Sequence, residues 1–389
     1  MKKALKWLLK LILSLSVAAA VAVTAFWFRY PPAKVDTKEA AAEMNDTGSP
    51  YKYYFSQLGN EEKHAYNLIL GEIYSMPESI IINRITSEQA DRVFSALLND
   101  NPDLFFVGRR CSIVTNAFQT AFSVEYSVTK DEYAVMKAEL DEVCSGVVSS
   151  LSDPEDDWQT ELEIHDYIIG NCEYTLSENG GMQSTAYGAL VEGSAACEGY
   201  SKAAKLLFDL VGIRSGVVSG TAKNDDGEMS PHMWNAVEIN GTFYHLDCTW
   251  DDPVSDDGSE NKTYFYFNVD DENMSITHSD FSYNFNCMGR SENYFVKTGA
   301  YFDSYDGDCR DRMVQIIVDG VEAGNDTVYL RFADEASYNA AFEDLIENEG
   351  IYGLLSEAAE LTEVEFSTTQ TGYFEQKERL IIAFAPNYE

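Results

Sequence analysis

The run Pro231-His-Met-Trp-Asn-Ala-Val-Glu-Ile239, then Asn240-Gly241, then Thr242-Phe-Tyr-His-Leu-Asp-Cys-Thr-Trp250 reads as two strands joined by a two-residue turn. Asn-Gly between strand-like runs is the strongest short hairpin signal, because both turn positions need positive φ. Setting Ile239 opposite Thr242 fixes the register: Trp234 falls opposite Asp247 and His232 opposite Thr249. His232 and Asp247 then become diagonal neighbours on one face, with backbones roughly 7–8 Å apart and side chains within hydrogen-bonding reach. His245 shares that face and is a second candidate base, whereas Cys248 is turned to the opposite face.

Upstream, Ser194-Ala-Ala-Cys-Glu-Gly-Tyr-Ser201 precedes a segment with apolar Ala203, Leu206, Leu207 and Leu210 that stops at Gly212. This pattern predicts an amphipathic helix with a glycine terminator and Cys197 at its start. A thiol there meets the positive end of the helix dipole and unpaired backbone N–H groups, which favour the reactive thiolate. Position alone leaves a buried, inert cysteine equally open. The hairpin supplies what a nucleophile requires, since a carboxylate fixes the imidazole tautomer and an imidazolium keeps a thiol ionised. Cys197 is thus the expected nucleophile, His232 the base and Asp247 the orienting carboxylate.

The order Cys-Glu-Gly-Tyr-Ser, His-Met-Trp-Asn, His-Leu-Asp-Cys-Thr-Trp-Asp-Asp-Pro resembles the transglutaminase-like superfamily, particularly its bacterial exported members. The likeness reaches weakly upstream to Ile164-His-Asp-Tyr-Ile168 and Asn171-Cys-Glu-Tyr174. It implies a papain-like Cys-His-Asp triad, which by position here is Cys197, His232 and Asp247. One departure is the missing tryptophan ahead of Cys197, where true transglutaminases keep one to stabilise the oxyanion; Trp158 is the nearest upstream. The oxyanion site would then use the Cys197 N–H and a side chain such as Tyr174 or Gln183.

Other residues have plainer readings. His165 is expected to pack or hydrogen-bond within a helix, and Trp234 and Trp250 to wall the site. No cofactor or metal is expected: the acidic pairs Asp225-Asp226, Asp251-Asp252 and Asp256-Asp257 invite calcium but lack EF-hand spacing, so they read as solvated surface. Gly220 to His232 reads as a polar loop. The seven cysteines, at 111, 144, 172, 197, 248, 287 and 309, are never closer than 22 residues, so no CxxC metal or redox motif exists. Disulfides and free thiols both stay open.

The 389 residues carry 27 Lys+Arg against 65 Asp+Glu, a net charge of −38 that argues against nucleic-acid binding. The first 35 residues are the exception, with Lys2, Lys3, Lys6, Lys10, Arg29 and Lys34 and no acid. Within them Leu11 to Phe28 is an 18-residue apolar stretch broken only by Ser14, Ser16 and Thr24. This is the pattern of a signal or membrane anchor. An uncleaved anchor is expected, with the acidic body outside the cytoplasm, or a secreted body if cleavage occurs near Val23-Thr24-Ala25.

The chain is therefore read as a signal or anchor over 1–35, a linker over 36–50, an α+β region over 51–150, a core over 151–270 and a C-terminal α+β region over 271–389. In the last, Val314 to Val318, Thr327 to Phe332 and Arg379 to Ala385 read as strands and Ala336 to Glu347 as a helix. The expected fold class is α+β, with a papain-like transglutaminase core in which the cysteine helix packs on an antiparallel sheet. The expected function is cysteine acyl transfer on peptide or protein amides, a cell-envelope substrate being one source, with hydrolysis ahead of amine transfer. The alternatives are a protein-glutamine transglutaminase and a non-enzymatic cell-surface binding or scaffold module on the same fold.

Overall fold

The computed structural model describes residues 50–176, 181–223, 227–253, 262–282, 285–325, 327–362, 364–366 and 371–386. The expected anchor and nearly all of the linker lie outside these, as do Asp225, Asp226, Asp256 and Asp257. Among the described residues no helix is long and apolar enough to cross a membrane. The chain divides into two compact units, Met1–Asp141 and Glu142–Glu389.

In the first unit, helices α1 (Tyr53–Gln57), α2 (Asn60–Ile73) and α3 (Ser87–Asp100) accompany strands β1 (Ile80–Asn83), β2 (Val107–Thr115) and β3 (Gln119–Tyr126). The strands pair antiparallel in the order β1-β3-β2. Thr86 starts α3 with a capping box, its hydroxyl accepting from the Gln89 N–H and the Gln89 side chain accepting from the Thr86 N–H. Tyr66, Ile69, Ile73, Val93 and Leu97 are buried one or two helical turns apart, a spacing that puts one apolar face of each helix inward. Helix α4 (Lys130–Ser150) runs across the boundary between the units.

The second unit opens with α5 (Asp157–Asn171), β4 (Glu173–Tyr174), a tight turn at Met182–Ser184, α6 (Ala186–Leu190) and β5 (Ser194–Ala195). Helix α7 (Cys197–Val211) follows and lies on an antiparallel sheet of order β8-β7-β6-β9. These strands are β6 (Ser215–Lys223), β7 (Met229–Ile239), β8 (Thr242–Leu246) and β9 (His278–Ser279). Tyr200, Ala203, Ala204, Leu207 and Phe208 bury the inner face of α7, while Leu210 stays 53% exposed. Gly212 closes the helix at φ 83°, a left-handed value that suits glycine. The long β6 and β7 correct the two ends of the segment read as a loop, Gly220 to Lys223 and Met229 to His232, which face each other in the ladder.

The hairpin has the expected register, from Ile239 opposite Thr242 to Asn235 opposite Leu246. Asn240 and Gly241 take φ 52° and 78°, as a two-residue turn matched to strand twist demands. Strand β8 stops at Leu246, because the Asp247 Oδ1 accepts the backbone N–H groups of Thr249 and Trp250 at 3.1 and 3.2 Å. A carboxylate binding its own backbone in this way competes with the ladder and starts a turn.

Beyond the sheet come α8 (Asp271–Met274), α9 (Tyr294–Lys297), β10 (Tyr301–Phe302), α10 (Cys309–Glu322), β11 (Val328–Phe332), α11 (Glu335–Phe342), α12 (Ile351–Thr362), β12 (Gly372–Gln376) and β13 (Ile381–Ala385). A second sheet has the order β10-β11-β13-β12, and α10 packs against α12. Val314 to Val318, expected as a strand, lies inside α10. Its β-branched residues suggested a strand, yet Met313, Val314, Ile317 and Val318 are the buried ones, a helical stripe that packs against Leu330 and Phe384.

Candidate active site

Cys197 is the first residue of α7, so its N–H precedes any acceptor within the helix. The helix start is pressed against the 182–184 turn: the Gln183 carbonyl accepts the Ala196 N–H at 2.9 Å. Glycine is required two residues on, since a Cβ at Gly199 would meet that carbonyl oxygen at 2.5 Å and the Ala195 Cβ at 2.7 Å. The sequence Cys-Glu-Gly thus seats the thiol beside both Gln183 and the sheet.

The facing strand brings His232 to the thiol. Its Nε2 lies 2.7 Å from the Asp247 Oδ2, and Cys197 makes a further hydrogen bond to the same side chain. With Nε2 committed to Asp247, the Nδ1 edge is left for sulfur. Burial works against a charged His232, but the Asp247 charge and hydrogen bond, helped by Cys197, outweigh it and hold the imidazole at about 10. Burial equally penalises the Asp247 carboxylate, and the His232 charge and hydrogen bond more than offset it, leaving that carboxyl well below its ordinary range. The three side chains expected to act together do meet.

A fourth group meets them that the sequence reading missed. His278 Nε2 approaches the same Asp247 Oδ2 at 3.1 Å, and His278 Nδ1 lies 2.9 Å from the Thr277 hydroxyl. Burial pushes His278 below its ordinary histidine value, so it is neutral where His232 is charged. A carboxylate only accepts, so the single ring proton sits on Nε2 and Nδ1 accepts from Thr277. Thr277 in turn accepts from Arg379 Nη2 at 3.3 Å. The one signal available was that the motifs leave two of the chain's five histidines, His64 and His278, unaccounted for. Its contact arises from β9 joining β6, where Ala222 pairs with His278, a pairing no local pattern announces.

The other candidates take positions around this cluster. Trp234 stacks on His232 with ring centroids 6.0 Å apart, and Trp250 lies edge-on to His232 at 6.1 Å and 4.9 Å from His278. Tyr174 is close enough to Cys197 for burial and then the thiol's charge to raise its phenol, which remains a proton donor. His245 is not brought to the thiol: Nδ1 accepts from the Trp234 indole at 3.0 Å and Nε2 faces Asp271 at 2.9 Å. His165 is buried with Asp166 at 3.0 Å and Asp251 at 3.3 Å; burial opposes its charge, but the two carboxylates raise it to about 9. Trp158 donates to the Glu292 carbonyl at 2.8 Å and packs on Phe267.

The pair Asp251-Asp252 is not solvated surface. Asp251 is fully buried and accepts the Tyr266 N–H at 3.0 Å and the Thr263 hydroxyl at 3.1 Å, and Asp252 accepts the Tyr200 hydroxyl at 2.5 Å. Among the described residues two clusters have donor sets that suit a metal ion, His232-Asp247-His278 and His245-Asp271-Cys287. In the first, both imidazoles direct Nε2 at Asp247; in the second, the indole bond to His245 Nδ1 leaves the proton on Nε2. A cation would have to displace those protons. All seven cysteines are free thiols.

No curated protein matches the chain. Among solved structures, one of a TGase shares 16% identity over 44% of this chain and 51% of its own, with a TM-score of 0.26. A protein from Cytophaga hutchinsonii, provisionally named a cysteine protease, shares 13% over 36% of this chain and 61% of its own, with a TM-score of 0.25. A provisionally named protease from Parabacteroides distasonis shares 10% over 36% of this chain and 35% of its own, with a TM-score of 0.20. This chain thus spans between about a third and three fifths of the length of each. The family profile for the transglutaminase-like superfamily matches residues 142–248, from α4 through the hairpin to Cys248. Residues 142–248, which hold Cys197, His232 and Asp247, are thus similar to the transglutaminase-like superfamily.

Proposed function

We propose that this protein is an exported cysteine enzyme that cleaves peptide or protein amides through an acyl-enzyme on Cys197. The observation that carries the reading is one imidazole, His232, bonded both to Cys197 and, at 2.7 Å, to a buried carboxylate. The Cys197 thiolate attacks the amide carbon, forming the C–S bond. His232 then gives its proton to the nitrogen as the C–N bond breaks, leaving a thioester and a free amine. His232 next takes a proton from water, whose oxygen displaces sulfur to release the carboxylic acid and restore the thiol–imidazole pair. The Cys197 N–H is placed to receive the oxyanion, with Tyr174 or Gln183 as a second donor. Export rests on the lysine-rich start and the apolar Leu11 to Phe28.

Water is preferred to an amine as the acyl acceptor because Trp158, the one tryptophan upstream of Cys197 in the body, is turned to Glu292 and Phe267. Among the described residues no tryptophan ahead of the nucleophile then serves to exclude water. Glutamine-containing peptides are therefore expected to yield cleaved or deamidated products when offered together with a fluorescent primary amine. Stable amine adducts outnumbering those products by mass spectrometry would reverse the preference.

The nucleophile has its own test. Iodoacetamide at pH 6 is expected to label Cys197 well ahead of the other thiols. Burial raises Cys111, Cys172 (to about 12), Cys248 and Cys287, and Cys144 and Cys309 are buried. Labelling spread evenly over the native protein, by peptide mapping, would remove Cys197 from its role.

A further inference from the structure

A cavity of about 320 Å³ opens beside the second sheet, lined among others by Arg290, Arg331 and Arg379. That size lies at the lower end of small-molecule sites. Arg290 is neutralised by Asp270 and by Glu272, the latter at 2.6 Å. Arg331 and Arg379 differ: among the described residues, neither has a carboxylate within ion-pairing distance.

Arg331 is only 7% exposed, its guanidinium's one hydrogen bond among the described residues runs from Nη2 to the Asn273 side chain, and that guanidinium lies 5.7 Å from the Phe295 ring. Among the described residues no other acceptor bonds its guanidinium, and the side chain lines the cavity. Arg379 is engaged inward, with Nη1 on the Phe265 carbonyl at 3.0 Å and its guanidinium 3.6 Å over Tyr266. It adds a second positive charge to the wall. Burial first, and Arg379 second, pull Arg331 down to about 10, the mark of a cation short of compensation. Burying an unpaired guanidinium costs several kcal/mol, and a chain of net charge −38 had acids to spare for it.

We propose that this cavity binds the free C-terminal carboxylate of a short peptide, with Arg331 as its anchor. A carboxylate fits the fork of a guanidinium in bidentate fashion. Asp270, Glu272 and Glu378 also line the cavity and disfavour a dianion such as phosphate while tolerating a ligand that carries an ammonium or amide behind its single negative end. The site does not depend on the cysteine chemistry.

Isothermal titration of the full-length protein with triglycine, triglycine amide and inorganic phosphate tests it. Triglycine is expected to bind with a Kd of about 1 mM or tighter, and the amide at least about tenfold more weakly. Arg331→Met should abolish triglycine binding. Ala333→Trp, which fills the cavity from an exposed position and spares the guanidinium should Arg331→Met fail to fold, should do the same. Cys197→Ala should bind as the native protein does, which separates this cavity from the cysteine site. Equal binding of acid and amide, tighter binding of phosphate, retention of triglycine by either folded variant, or no saturable binding by about 10 mM would each overturn the proposal.

Discussion

Asp247→Asn is expected to lower kcat by about three to four orders of magnitude while the protein remains folded, the scale seen when a triad carboxylate becomes an amide. The native Oδ2 accepts from two imidazoles and Oδ1 from two backbone N–H groups, so all four partners are donors. An amide offers one accepting oxygen and one donating nitrogen, so whichever way it turns, it presents N–H groups to donors. His232 would have to place its proton on the thiol-facing nitrogen, where it can no longer take one from Cys197.

The same change should reshape the pH dependence of stability. His232 is raised above its unfolded value of 6.5, so its contribution is complete below that pH and fades as pH rises through about 10. Asp247 is depressed below 3.8, so its contribution is complete above that pH and fades as pH falls through the lower folded value. Thermal melts of the native protein should therefore show this contribution in full between roughly pH 4 and 6.5 and declining from there to about pH 10, and Asp247→Asn should flatten it. A variant within tenfold of native kcat, or an unchanged melting profile, would show that Asp247 does not orient the base.

The legible and illegible parts of this site differ in how far apart in sequence their partners stand. Asn240-Gly241 sets a register, and the register places His232 and Asp247 together without any knowledge of the rest of the chain. Likewise the spacing of Ala203 and Leu207, with Gly212 behind them, determines the helix that Cys197 begins. These are local rules acting over fewer than twenty residues. Asp251 shows where they stop: as one of two adjacent acids it resembles surface, and only the Tyr266 N–H, Thr263 and His165 packed against it explain its burial. The α10 segment failed differently, because β-branched Val314, Ile316, Ile317 and Val318 carry strand propensity while their burial follows the helix period. Tertiary packing overrode propensity there.

His278→Ala is expected to reduce kcat by about one to two orders of magnitude with little change in KM, since a hydrogen bond to a charged group contributes about 1.5–3 kcal/mol. The ring is enclosed by Trp234, Trp250 and Tyr266 at centroid distances of 5.0, 4.9 and 5.4 Å, and this box aims Nε2 at Asp247. The bond does two things. It holds the carboxylate at the angle that reaches His232, and it helps keep that carboxyl ionised, because the His278 hydrogen bond is one of the causes holding Asp247 down. Without it Asp247 protonates at higher pH, so the acid limb of kcat/KM moves upward while the alkaline limb, set by His232, stays nearer its place. His278→Gln separates this role from simple packing, for a glutamine amide can present a donor close to where Nε2 stood. Gln should then recover most of the rate and return the acid limb toward the native pH, even if both variants melt early. Equal loss in Ala and Gln with an unmoved acid limb would reduce His278 to a core residue, and Asp247 would then be held by His232 and its own turn alone.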